Sequence, residues 1–123
     1  MKVLCCGDRD WNNKEFIRNL FIICENIIKK KLIIIHGAAR GADTLCGEVA
    51  KELGFEVRKY PAKWEELGKK AGPIRNQEML DKENPDMVFA FHNDIERSKG
   101  TKDMVKRAQK RNIRVHMFCE GNE

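Results

Sequence analysis

The sequence predicts an α/β protein: an open, Rossmann-like parallel sheet of five strands in the order 3-2-1-4-5, with helices on both faces. Three observations carry the parallel α/β class, and the order is the one taken for an open sheet of this kind. Five short apolar runs alternate with longer stretches of helical periodicity along the chain. One run, Ile33-Ile34-Ile35, is β-branched throughout, as in a strand covered on both faces. Glycine, asparagine and proline punctuate most of the joints between runs and helical stretches. Such strands need crossover connections, which the intervening helices supply.

In chain order, Lys2 to Cys6 is the first strand and Gly7 to Trp11 its loop. Asn12 or Asn13 caps a helix running to about Lys30. Its apolar face combines Phe16, Leu20, Cys24 and Ile27 with Ile17, Phe21 and Ile28. The isoleucine strand passes into His36 to Asp43, then into a helix carrying Leu45, Val49, Ala50 and Leu53 and closed by Gly54. Phe55 to Tyr60 is the third strand, ended by Pro61. Trp64 and Leu67 suggest a helical turn. Gly68 to Gly72 reads as a mobile connection, and Pro73 opens a helix that Asn84-Pro85 stops. Asp86 to Phe91 is the fourth strand. The polar loop His92 to Lys99 leads to Gly100-Thr101 and a helix bearing Val105 and Ala108. Ile113 to Phe118 is the fifth strand, and Glu120 to Glu123 a frayed tail.

A chain of 123 residues, 41% hydrophobic and 35% charged, fits one domain with a core of its own. No run approaches the length of a membrane span, and the N-terminus is too soon interrupted for a signal peptide, so a cytoplasmic protein is expected. The five cysteines are odd in number and mostly lie in apolar runs, which reads as free thiols in a reducing compartment. Cys5 and Cys6 should point to opposite faces, and no metal-ligand spacing occurs, so no structural metal and no cofactor is expected. The net charge of +5 fits solvated helix faces. A nucleic-acid surface would rest on that charge alone, so nucleic acid is not the expected partner.

In the order 3-2-1-4-5, the loops after strands one, two and four become neighbours at the carboxyl edge, where open sheets bind ligands. Gly37 and Gly41 sit in a strand–turn–helix arrangement that suits an anion, though it is neither a Walker loop nor a dinucleotide fingerprint. Arg40 within it can clamp a phosphate. Arg9, between Asp8 and Asp10, can grip phosphate while a carboxylate holds ribose hydroxyls, or the three form a local ion-pair cluster. Asp43 is either a ligand carboxylate or a helix-dipole partner. Arg75, with Asn76, is placed in the first turn of its helix, where a cation calls for an anionic neighbour. His36 and His92 end strands at this edge. Trp11, Tyr60 and Trp64 either stack on a base or close the core under the loop. The segment from Trp64 to Gly72, with Lys69 and Lys70, is expected to form a lid.

Together, Gly7 to Trp11, His36 to Asp43, Tyr60 to Trp64, Ala71 to Met79 and Gly100 to Met104 resemble the YspA-type, cpYpsA-related branch of the SLOG superfamily over nearly the whole chain. These are small Rossmann-like domains often found in bacteria and phages. The resemblance implies binding of nucleotides or nucleotide-derived molecules, including NAD- and ADP-ribose-related signals, and pairing as a homodimer or higher oligomer. The LOG phosphoribohydrolases of the superfamily cleave nucleoside 5′-monophosphates. Their Arg-Lys-x-x-Met motif falls on Arg75 to Met79, keeping the arginine and replacing the lysine by Asn76. Their Pro-Gly-Gly-x-Gly-Thr-x-x-Glu motif falls on Glu96 to Met104, keeping Gly100 and Thr101. Met104 stands at the acid position, with Asp103 one residue early. The expected function is therefore ligand binding as a sensor or sequestering protein, with phosphate on Arg40, Gly41, Gly100 and Thr101. The alternative is an N-glycosidase using Arg75 with Asp103 or Glu78.

Overall fold

In the computed structural model, which describes residues 1–120, β1 (Lys2–Gly7) lies at the centre of a five-stranded sheet. It pairs in parallel with β2 (Ile33–His36) on one side and β4 (Met87–Phe91) on the other. The edges are β3 (Glu56–Lys59) and β5 (Arg114–Phe118), also parallel, giving the order β3-β2-β1-β4-β5. This is the predicted fold and strand order.

Alternation along β1 builds two cores. Val3 and Cys5 join Ile17 and Phe21 of α1 (Lys14–Ile28) and Val49 and Ala50 of α2 (Ala42–Glu52) on one face. Leu4 and Cys6 join Met79 and Leu80 of α4 (Ala71–Glu83) and Met104 and Ala108 of α5 (Lys99–Lys110) on the other. The adjacent thiols thus serve opposite faces, as a period of two requires. Asn13 caps α1 by accepting from the Phe16 N–H, and left-handed Lys29 ends it. The apolar face of α1 is narrower than the sequence suggested: Ile27 is 74% exposed, because only Ile17 and Phe21 reach the sheet fully.

Residues 68–72 correct the sequence reading. The single-turn α3 (Trp64–Leu67) passes through Gly68 (φ +59°) into a 3-10 turn, Gly68–Lys70, which runs straight into α4. The expected connection is therefore helical, and Arg75 falls in the second turn of α4. Residues 63–70 are all exposed. Cys119 is exposed, unlike the other cysteines. Glu120 is docked: its N–H donates to Asn93 Oδ1 at 2.8 Å, and its carboxylate accepts from the Asn13 and Asn93 amides. The rest of the expected tail, 121–123, lies outside the described residues. No helix among those residues is long and apolar enough to cross a membrane.

Candidate functional site

The loops after β1, β2 and β4 meet at the carboxyl edge of the sheet, and two glycines let them touch. A Cβ at Gly7 would lie 2.2 Å from the Phe91 carbonyl oxygen. Gly41 has φ +79°, and a Cβ there would lie 2.4 Å from the carbonyl oxygens of both Asp8 and Arg9. A glycine allows both the left-handed backbone and the close approach. The start of α2 consequently seats on the β1 loop, with the Ala42 N–H donating to Asp8 O at 3.0 Å.

Asp43 organises the glycine loop from within. Its side chain turns back, and Oδ2 accepts from the N–H groups of Gly37 (3.0 Å) and Ala39 (3.4 Å). His36 Nδ1 accepts from Ala38 N–H at 3.0 Å, and Ala39 O accepts from Thr44 N–H at 3.2 Å. The N–H groups of Gly37, Ala38 and Ala39 are thereby used by the protein, whereas those of Arg40 and Gly41 have no partner among the described residues. Asp43 is only 5% exposed, and burial pushes its carboxyl up to about 6, partly offset by the two N–H groups, Arg75 and Arg9. Its other oxygen, Oδ1, has no protein partner among the described residues and is not sealed from solvent. Burial, with Lys59, Lys51 and Arg75 nearby, lowers His36 to about 4. The imidazole is neutral, and its proton sits on Nε2, packed against Gly47.

Arg75 reaches across from α4. Its Nη1 donates to Gly37 O at 2.5 Å and its Nε to Asn76 Oδ1 at 3.0 Å, while the guanidinium occupies the place a Cβ on Gly37 would take. Backbone carbonyls and Asp43 answer its charge, without an anion at a helix start. Asn76, 4% exposed, clamps α4 to α5 by donating to Gly100 O (3.3 Å) and Asp103 Oδ2 (3.0 Å). Asp103 Oδ2 also accepts from Arg107 Nε at 2.8 Å. Asp103 therefore anchors Asn76.

The start of α5 is built differently. Ser98 is its N-cap and accepts from Thr101 N–H at 3.0 Å. The N–H groups of Lys99 and Gly100 have no protein partner among the described residues. Two free N–H groups and the positive end of a helix thus face one cavity.

That cavity, about 420 Å³, lies between the β1 and β4 loops and the start of α5, and is lined among others by Cys6, Asp8, Asp43, Ser98, Gly100 and Thr101. A second, about 470 Å³, lies between the glycine loop and Pro61–Trp64. Arg9, Ala39, Arg40 and Arg75 line both, so the two form one groove crossed by three arginines. Both volumes fall in the roughly 300–1,000 Å³ range of small-molecule sites. Arg9 has no side-chain partner among the described residues, and Arg40 is loosely held by Arg9 O and Asp10 Oδ1, each at 3.3 Å.

Of the residues singled out in the sequence, Gly7, Asp8, Arg9, Arg40, Asp43, Arg75, Asn76, Gly100 and Thr101 line the first cavity. Gly37 and Trp64 line the second, and Gly41 and Trp11 border a shallow recess shared with Arg9 and Arg40. Four corrections follow. Trp11 is 2% exposed, packed edge-on against Phe16 and Phe91 with Nε1 donating to Asn13 O, so it has no face free to stack on a base. His36 is buried under the glycine loop and holds it from below. Asp103 and Glu78 line neither cavity, Asp103 being held by α4 and Arg107. Lys69 and Lys70 also lie outside both cavities. Sequence reasoning missed Cys6, Arg97, Ser98 and Lys99. Ser98, a capping residue two positions ahead of Gly100, was the available signal.

The profile of the YspA, cpYpsA-related SLOG family matches residues 1–66, which hold β1, the glycine loop and Trp64. The chain belongs to this family. A similar relative is the Gene 61 protein of Mycobacterium phage D29, 34% identical over 122 residues covering 95% of each chain. Family membership is consistent with a nucleotide-related ligand. The profile ends before Arg75 and the α5 start, the parts of the groove that face it from the other side of the sheet.

Proposed function

We propose that the groove binds a nucleotide or nucleotide-derived ligand, such as an ADP-ribose- or NAD-like molecule or a cyclic nucleotide, and that the protein acts as a sensor or sequestering protein. One observation carries this reading: three arginines cross a groove whose wall includes a helix start with two free N–H groups. Phosphate belongs at the free N–H groups of Lys99 and Gly100, with Arg75 lining the same cavity. The Oδ1 of Asp43 suits a ribose hydroxyl, and exposed Trp64 a base in the second half. Thermal shift with AMP, ADP-ribose, NAD and cyclic nucleotides tests it. A ligand at a hundred times its Kd adds about 2.7 kcal/mol, and no stabilisation across the panel overturns the proposal. Gly37→Ala should weaken the response with little loss of fold stability, because the methyl evicts only the flexible end of Arg75.

A second reading, N-glycosidic cleavage, draws on the carboxyl group of Asp43 beside Arg75 in the same cavity. It expects free base from a nucleoside monophosphate, lost in both Arg75→Ala and Asp43→Asn. Release that survives Asp43→Asn sinks this assignment.

A further inference from the structure

The net charge of +5 is not spread over the molecule. Residues 97–114 contain eight basic side chains and one acidic, Asp103, so this single segment exceeds the charge of the whole chain and the remainder is slightly acidic. Four of the eight are matched: Arg97, Lys102, Arg107 and Arg111 have carboxylate partners in Asp94, Glu96, Asp103 and Asp81. The other four, Lys99, Lys106, Lys110 and Arg114, are exposed and have none among the described residues, and three of them, the lysines, lie on α5. At about 100° per residue these three lysines fall within a narrow arc on the outer face of α5, spread over about 16 Å of its axis. The row ends at Lys99, on the rim of the first cavity.

We infer that the outer face of α5 is a binding surface for a single nucleic-acid strand, which runs along Lys110, Lys106 and Lys99 toward the cavity mouth. Three unmatched cations in a straight row suit a chain of phosphates. They suit an acidic protein less, because the row has no apolar or aromatic anchor of the kind that holds protein interfaces. Contact is to the backbone, so binding is independent of base sequence and falls steeply with salt. The choice of one strand over a duplex rests on the nucleotide-binding reading, since an unpaired nucleotide leaves its base free for the groove. The exposed Lys102–Glu96 pair contributes little to stability and can open to add a fourth cation.

The test is fluorescence anisotropy of the full chain with labelled oligothymidylate as salt is raised from about 50 to 200 mM. Each phosphate contact contributes about −0.7 to the slope of log affinity against log salt, so the wild type should show about −2. Lys106→Glu with Lys110→Glu should lower affinity at least tenfold and reduce the slope by about 1.4. Neither residue lines a cavity, so thermal stabilisation by nucleotides should be unchanged. Lys30→Glu with Lys51→Glu changes the charge equally elsewhere and should leave oligonucleotide binding within twofold. Equal loss in the two double variants, equal affinity for a duplex, or equal competition by polyglutamate would overturn the inference. Strand binding without any nucleotide response refutes the nucleotide reading alone, and the reverse refutes this one alone.

Discussion

The glycine loop after β2 and the start of α5 look alike in the sequence, each placing glycine beside a helix N-terminus, yet they use their N–H groups in opposite ways. Asp43 and His36 turn inward and take the N–H groups of Gly37, Ala38 and Ala39. At α5, Ser98 takes only that of Thr101 and leaves two toward the cavity. The glycine loop is braced from within as far as Ala39, and the start of α5 is not. A glycine-rich turn is therefore no phosphate cradle until the acceptors around it have been counted.

The largest effect expected is at Gly41. Gly41→Ala forces a side chain onto left-handed backbone and against two backbone carbonyls, and should cost about 3–4 kcal/mol in urea denaturation. A loss under 1 kcal/mol would show that the β1 loop and α2 are not locked together.

The second effect is a pH window within the braced loop. The carboxyl of Asp43, raised to about 6, contributes stability that is present below its unfolded value of 3.8 and lost as pH rises toward 6. His36, lowered to about 4, works the other way: its contribution is present above 6.5 and lost as pH falls toward 4. Each is worth up to about 3 kcal/mol, so between pH 4 and 6 they offset one another. Asp43→Asn keeps an acceptor for the loop but removes one titration. Its stability, relative to wild type, should rise with pH by about 2–3 kcal/mol across that window. Parallel curves from urea midpoints at several pH values would refute the pairing.

Two smaller effects sharpen the contrast at α5. Ser98→Ala removes the cap and should cost about 1 kcal/mol, read as a lower urea midpoint at constant m-value. Gly100→Ala should do the reverse of Gly41→Ala. Nothing lies within 4 Å of the added methyl, and alanine favours a helix over glycine by roughly 0.5–1 kcal/mol, so the midpoint should rise. Destabilisation by Gly100→Ala would mean that the start of α5 is as tightly packed as the glycine loop.

The amino-acid sequence determined the alternation of strands and helices because those signals were local or periodic: the β-branched run at Ile33, the 3.6 spacing of Ile17 and Phe21, the alternation of Cys5 and Cys6. The order 3-2-1-4-5, once given, leaves one edge where the loops after β1, β2 and β4 meet. The sequence misjudged residues 68–72, where two glycines and two lysines suggested a loop, because α4 draws its helical start from packing of Ala71 and Gly72, the latter against Trp64. Only the tertiary structure decided which residues of that edge face the groove. His36, Trp11 and Asp103 are the chemical equals of their neighbours in one dimension. The roles of Trp11, Asp103 and Arg75 depend on partners tens of residues away: Phe91, Asn76 and Gly37 respectively. Backbone periodicity is written in neighbouring residues, whereas hydrogen-bond satisfaction is settled by whatever the fold brings within 3 Å.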